Sequence, residues 1–335
     1  MPAKRPRRSG LTGVELARAV DAIQALVDKS REEQAVNRDD PELEATFDDT
    51  AELHQLDDIL KMLQSKADGP QVRMIDGMHA TSYSFSNMTQ DHLDKLGISA
   101  SGLLELKPNA IPRAVQTDAL GADSIWSSDM LCRHLQFLEG LVPRTNEAAA
   151  RLWINAFFYR VAVMISSGSK MVLSVEQVVP SVTVSNTSAH TLSGYVVWTA
   201  IVMPARKAHI YLRHPFLQHL KNDESALFVS EAKGPNQLLQ HHVPQAVGEM
   251  LACARTARKP IIRGVLTNGH TWIFIILKLS DNGGGSYFQS KELLITGLSS
   301  RISGEAVSVI SAIISHWMVH SHEELDGEDD YFTIL

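Results

Sequence analysis

The chain has 335 residues, 44% of them hydrophobic and 21% charged, with a formal net charge of −7. That balance describes a globular protein long enough for one large domain or two modest ones. It is not the charge of a surface built to coat nucleic acid, where phosphate neutralisation dominates affinity. Two cysteines, Cys132 and Cys253, exclude a disulfide framework and argue against a thiolate zinc site.

The chain opens on a basic cluster, Lys4, Arg5, Arg7 and Arg8, compatible with nuclear import or with a solvated tail. No apolar run follows that start, and no segment approaches the ~18 apolar residues of a membrane span. An intracellular protein, nuclear or cytoplasmic and without a membrane partner, is therefore expected. Residues 1–10 read as a basic tail and 321–335 as an acidic one, the latter holding Glu323, Glu324, Asp326, Glu328, Asp329 and Asp330. Residues 11–126 read as a helical N-terminal extension. Leu16, Val20, Ile23 and Val27 recur at helical spacing, as do Leu53, Leu56, Ile59, Leu60 and Leu63. The stretch 70–125 has no clear periodicity.

From Ser127 the patterning sharpens into one domain over 127–320. Ser127–Leu141 is predicted helical, and a longer helix opens at Glu147 and runs to about Ile165. Strands are predicted over Met171–Val179, Val182–Ser185, Thr191–Met203, His209–Leu212 and Ala226–Lys233. A helix follows, carrying Ala246, Val247, Met250, Leu251 and Ala254, with Pro244 suited to its first turn. Ile261–Thr267 and Thr271–Leu279 are apolar strands joined at Asn268-Gly269, a strong hairpin signal. Asp281 to Ser286 reads as a turn, lacking the ending of a phosphate-binding loop. A last helix is predicted near Arg301–Val319. His241-His242 and the pair His320 and His322 lack third and fourth ligands at zinc spacing and read as surface residues.

The chemistry concentrates at the end of the strand Ala226–Lys233. Glu231 and Lys233 stand two residues apart, hence on one face of an otherwise apolar strand. Buried charge needs a partner or a task. The pair is either a salt bridge where the chain leaves the sheet or a metal-assisted phosphodiester-cleaving site. In the second case the carboxylate holds a divalent cation and the lysine orients water or stabilises developing charge. Gln245 and Glu249 lie one turn apart on the next helix and share a face, with solvent exposure the simpler account of Glu249.

The order of helix, strands, Glu231-Ala232-Lys233, Gln245-bearing helix and the hairpin Gly264 to Phe274 (GVLTNGHTWIF) resembles the PD-(D/E)XK nuclease superfamily. It looks most like the fungal and oomycete branch, over Glu147 to Leu279. The resemblance implies an α/β fold with a restriction-endonuclease-like core, a mixed central sheet flanked by helices. It also implies Mg²⁺-dependent phosphodiester hydrolysis on DNA or RNA. Glu231 would be the metal-binding carboxylate, Lys233 the catalytic lysine, Gln245 a supporting or backbone-contacting residue, and Glu147 an accessory acid. The superfamily also carries an aspartate on the preceding strand. Here Ser193-Gly194-Tyr195-Val196-Val197-Trp198 places Val197 there, so the second carboxylate ligand is missing. Asp223 and Glu224 are the substitutes near at hand, although their polar loop is expected at the far end of the strand. Arg255, Arg258, Lys259 and Arg263 form either a basic patch or a solvated helix end. Two alternatives stand beside the enzyme. One is a catalytically degenerate nuclease fold that binds nucleic acid or protein; the other is a structural Glu–Lys pair in an unrelated α/β protein.

Overall fold

The computed structural model describes residues 73–75, 78–184, 190–221, 225–281, 283–297, 301–323, 329 and 331–335. The two helices expected before residue 70 and the candidate acids Asp223 and Glu224 lie outside the described residues. The chain divides into two units between Ser82 and Tyr83. At the end of the first, β1 (Arg73–Ile75) and β2 (Met78–Ser84) pair as an antiparallel hairpin, Arg73 opposite Ala80.

The second unit is α/β, with a mixed sheet flanked by helices. It begins with α1 (Gln90–Lys95), β3 (Ile98–Leu106), α2 (Ala110–Thr117), α3 (Ser128–Leu141) and α4 (Glu147–Met164). There follow β4 (Ser169–Thr183), β5 (His190–Pro204), α5 (Ala205–Arg213), β6 (Ala226–Ala232) and α6 (Val243–Ala257). The chain ends with β7 (Ile261–Thr267), β8 (Thr271–Leu279), β9 (Gly285–Ser290), β10 (Leu293–Leu294), α7 (Gly304–Val319) and β11 (Phe332–Ile334). Strands β4, β5 and β6 form an antiparallel meander. Beyond it β7 joins β6 in parallel after the α6 crossover. The sheet continues through β8, β9, β3 and β11, with β10 on the free end of β8. Among the described residues no helix is long and apolar enough to cross a membrane.

Strand alternation divides the core into two layers. On β8, Trp272, Phe274 and Ile276 pack with α3, α4 and α7, while Ile273, Ile275 and Leu277 pack with α6. On β6, Phe228 and Ala232 take the α4 side, and Leu227 and Val229 the α6 side. The parity of β6 therefore turns Glu231 and Lys233 towards α6.

Several expectations change. Ile98–Leu106 is a strand inside the main sheet, parallel to β9, so residues 83–126 are not a helical extension. His209–Leu212 belongs to the helix α5, which buries Ala208 and Tyr211 three residues apart on one face. The end of the chain is not wholly a solvated acidic tail. Asp329, Tyr331 and Phe332 are buried and β11 pairs with β3. The carboxylate of Asp329 accepts a hydrogen bond from the Trp317 indole at 2.9 Å. The proposed basic patch also dissolves: Lys259 and Arg263 are buried, and Arg263 donates to the His320 carbonyl.

Helix α6 lies close on the sheet because β7 carries a glycine under it. A Cβ at Gly264 would sit 2.6 Å from the Val229 carbonyl oxygen and 3.0 Å from the Met250 sulfur. The Val229 carbonyl, being backbone, cannot yield without moving β6. Gly264→Ala is expected to cost about 1–3 kcal/mol by overpacking, read as a lower urea midpoint. An unchanged midpoint would show that the sheet and helix are not in tight contact there.

Candidate functional site

The site is built where β6 ends and α6 begins. Every residue of β6 is buried, and the ladder to β7 runs one bond past its end, the Lys233 amide donating to the Thr267 carbonyl at 2.9 Å. Glu231 stands opposite Leu266 of β7 in parallel register. The chain then turns through a short 3-10 segment, Leu239–His242, into α6, with Pro244 in the first turn where an amide is not needed. This return places Gln245 and Glu249, one turn apart, against the face of β6 that carries Glu231 and Lys233.

The side chains form one hydrogen-bonded cluster. Lys233 Nζ lies 2.6 Å from Glu231 Oε1. Gln245 Nε2 donates to the same oxygen at 2.7 Å and to Glu249 Oε1 at 3.0 Å. Glu231 is 2% exposed, Lys233 7% and Glu249 0%. The simple expectation that Glu249 faces solvent is therefore wrong. A carboxylate this deep had one sequence signal: between Val243 and Ala254 it is the single charged residue in an otherwise apolar helix. Such a helix is buried all round.

Burial raises the pKa of Glu231, and the charge and hydrogen bond of Lys233 oppose that rise. Burial, then the neighbouring Glu231 charge, pushes Glu249 well above the ordinary carboxylate range. Of the two carboxyls, Glu249 is therefore the one pushed further towards its protonated form. At the rim His242 is held below its ordinary pKa by burial and by Lys233, which favours the neutral imidazole.

Glu147 comes near the cluster without joining its hydrogen bonds. It opens α4, where Asn146 caps the helix through the Ala149 amide at 2.8 Å, and its charge raises the Glu231 pKa. Its carboxylate pairs with Arg151 at 2.9 Å, and Arg151 reaches Glu176 at 2.8 Å. Glu176 sits at φ 55°, a kink in β4 directly across from Val197. Val197 is one step beyond the paired residues Trp198 and Ser230, in the row of Glu231, but packs in the core on the α4 side. Val196 takes the α6 side. Neither offers an oxygen ligand, so β5 supplies no carboxylate to this site.

The cluster can hold a carboxylate in fixed orientation, keep an ammonium beside it and accommodate a proton or a cation between two acids. Among the described residues no group of three or more His, Cys, Asp or Glu side chains converges to hold a metal ion. A hard cation here would have Glu231 as its protein carboxylate.

The raised Glu249 pKa fixes the sign of a pH effect. Above the ordinary carboxylate pKa the unfolded chain has lost this proton and the folded chain retains it. Stability therefore falls as pH rises, by about 1.4 kcal/mol per unit for one proton, until the folded pKa is passed. Glu249→Gln should flatten that decline above the ordinary carboxylate range in urea unfolding. An equal slope in wild type and variant would mean that Glu249 is ionised in the folded protein.

Comparison of the sequence with known family models and with curated proteins returns no match.

Proposed function

We propose that the chain is a nuclease-like protein of the PD-(D/E)XK type, a metal-dependent phosphodiester hydrolase acting on DNA or RNA. The observation that carries this reading is the Glu231–Lys233–Gln245 cluster, with Lys233 Nζ and Gln245 Nε2 both on Glu231 Oε1. Its setting supports the same reading. A helix, an antiparallel meander of three strands, a crossover helix and a parallel fourth strand place the cluster at the junction of β6 and α6.

Glu231 would be the protein ligand of a Mg²⁺ ion, through Oε2, an oxygen without a hydrogen-bond donor. A bound divalent cation would supply Lewis-acid polarisation of a phosphoryl oxygen. The other roles belong to the chain. Gln245 fixes the Glu231 carboxylate through its amide nitrogen, leaving Oε2 free. Lys233 offers an ammonium beside that carboxylate, placed to orient a water or to stabilise the negative charge that develops on phosphorus-bound oxygen. Apolar packing from β6 and α6 keeps the dielectric low around both groups, which strengthens their electrostatic effect.

The test is cleavage of plasmid DNA and of RNA with Mg²⁺ or Mn²⁺ by wild type, Lys233→Met and Gln245→Ala, with circular dichroism as the control for folding. Metal-dependent cleavage by wild type, reduced at least about a hundredfold in Lys233→Met, is expected. Gln245→Ala, at a half-buried position, should fold and retain part of the activity. Wild type that cleaves neither substrate with either metal would overturn the enzyme reading and leave a contact module built on the same core.

A further inference from the structure

Beside the charged cluster a groove of about 470 Å³ opens between the start of α1, the entry to α6 and β9. That volume suits a small organic group. Among the described residues no Asp, Glu, Lys or Arg lines it; Gln90, Gln240 and Gln289 do, with Tyr287 and His241. Met88 and Val243 add apolar wall. Two of the glutamines hold each other, Gln289 Nε2 donating to Gln240 Oε1 at 3.1 Å. This pairing leaves the Gln240 amide nitrogen as a donor beside the Gln289 carbonyl oxygen as an acceptor. Turning both amides over exchanges the two roles and still leaves one of each. Gln90 is spent on bracing the wall: it accepts from the Tyr287 hydroxyl at 3.0 Å and donates to Asp94 at 2.9 Å.

We propose that this groove holds one unpaired base of a single-stranded nucleic acid whose backbone passes the Glu231–Lys233 cluster. The identity of the polymer rests on the nuclease reading; the choice of a single strand comes from the groove. A lining without charge offers nothing to a phosphate, whereas an adjacent donor and acceptor match the edge of a neutral, planar base. His241, exposed at the rim, adds a ring on which a base can stack. The groove also lies on the correct face of the sheet. Tyr287 packs on the α6 side, and Gln289, two residues on, shares that face with Glu231 and Lys233. Through the strand ladder Gln289 aligns with Ile275, Gly264 and Val229, the last of these two residues before Glu231. Three strand spacings, about 14 Å, separate β9 from β6. The entry to α6 bridges them. Val243 and Pro244 line the groove, and the next residue, Gln245, bonds Glu231. His242 feels the charges of both Lys233 and His241. A flexible single strand can span this distance and turn a base inward, whereas a base stacked and paired in a duplex cannot.

The experiment is fluorescence anisotropy of the full chain with labelled DNA and RNA oligonucleotides, in EDTA and again in Ca²⁺. Each base-bearing single strand is compared with an abasic strand of equal length and charge and with the corresponding duplex. Wild type is expected to bind the base-bearing single strand at least about tenfold more tightly than the abasic strand. Gln240→Ala, at an exposed position, and Gln289→Leu should each lose most of that preference. Both should keep the abasic affinity within about twofold of wild type, because no phosphate contact is removed. Circular dichroism checks the fold of each variant. Equal affinity of wild type for base-bearing and abasic strands would overturn the proposal, as would failure to bind any single strand. A duplex bound as tightly as the single strand, or full base preference in both folded variants, would overturn it too. The two readings fail separately. Base preference lost in the variants, without cleavage in Mg²⁺ or Mn²⁺, sinks the nuclease and keeps the groove. Cleavage of abasic and base-bearing strands with equal KM sinks the groove and keeps the nuclease.

Discussion

The structure around the site depends on one constraint: β6 is buried on both faces, and it ends in two charges of opposite sign. A central strand, antiparallel to β5 and parallel to β7 and covered by helices, has no solvent to offer Glu231 or Lys233. Each must therefore be compensated within the protein, at a separation of 2.6 Å. Removing either partner would leave the other as an uncompensated buried charge, which is the costly state. Helix α6 completes the compensation, and its close approach over Gly264 brings Gln245 within reach of Glu231.

The rest of the molecule treats buried charge differently. Arg160 is 1% exposed and donates to the carbonyls of Leu120, Trp126, Thr117 and Asp118, where a cation is surrounded by oxygens. Arg263 reaches the carbonyls of His320 and Glu323 and lies beside Asp329. These clusters tie loops and the end of the chain to the sheet, and acceptors surround each guanidinium. At Glu231 and Glu249 the ratio is reversed, with more acceptor oxygens than donors. Such an excess of acceptors calls for a compensating proton or cation.

How far the fold was legible follows from where each signal lives. Hairpin β7–β8 was readable to the residue, since Asn-Gly requires a tight turn and Gly269 adopts φ 85° there. Helices α3, α4, α6 and α7 were readable from periodic apolar runs and from caps such as Ser127 and Asn146. Short or weakly patterned elements were not. His209 to Leu212 alternates like a strand over four residues, but Ala208 and Tyr211 pack on one helical face. The strand β3 holds mostly small and polar residues, and only pairing with β9 and β11 identifies it. Arg263 read as a surface cation because its acceptors lie more than fifty residues away along the chain.

By itself, the sequence determined that Glu231 and Lys233 share a face of an apolar strand, that Gln245 and Glu249 share a face of the next helix, and that β5 carries valine at the expected acid position. Those are consequences of periods two and 3.6, which are local properties of the backbone. Only the tertiary structure decided that the two faces meet and that one amide nitrogen bridges both carboxyls. It also decided that Glu249 is wholly buried and that Val197 packs on the opposite side of the sheet from α6. The physical reason is that burial and charge compensation depend on what is packed across the strand–helix junction, and no local period records that.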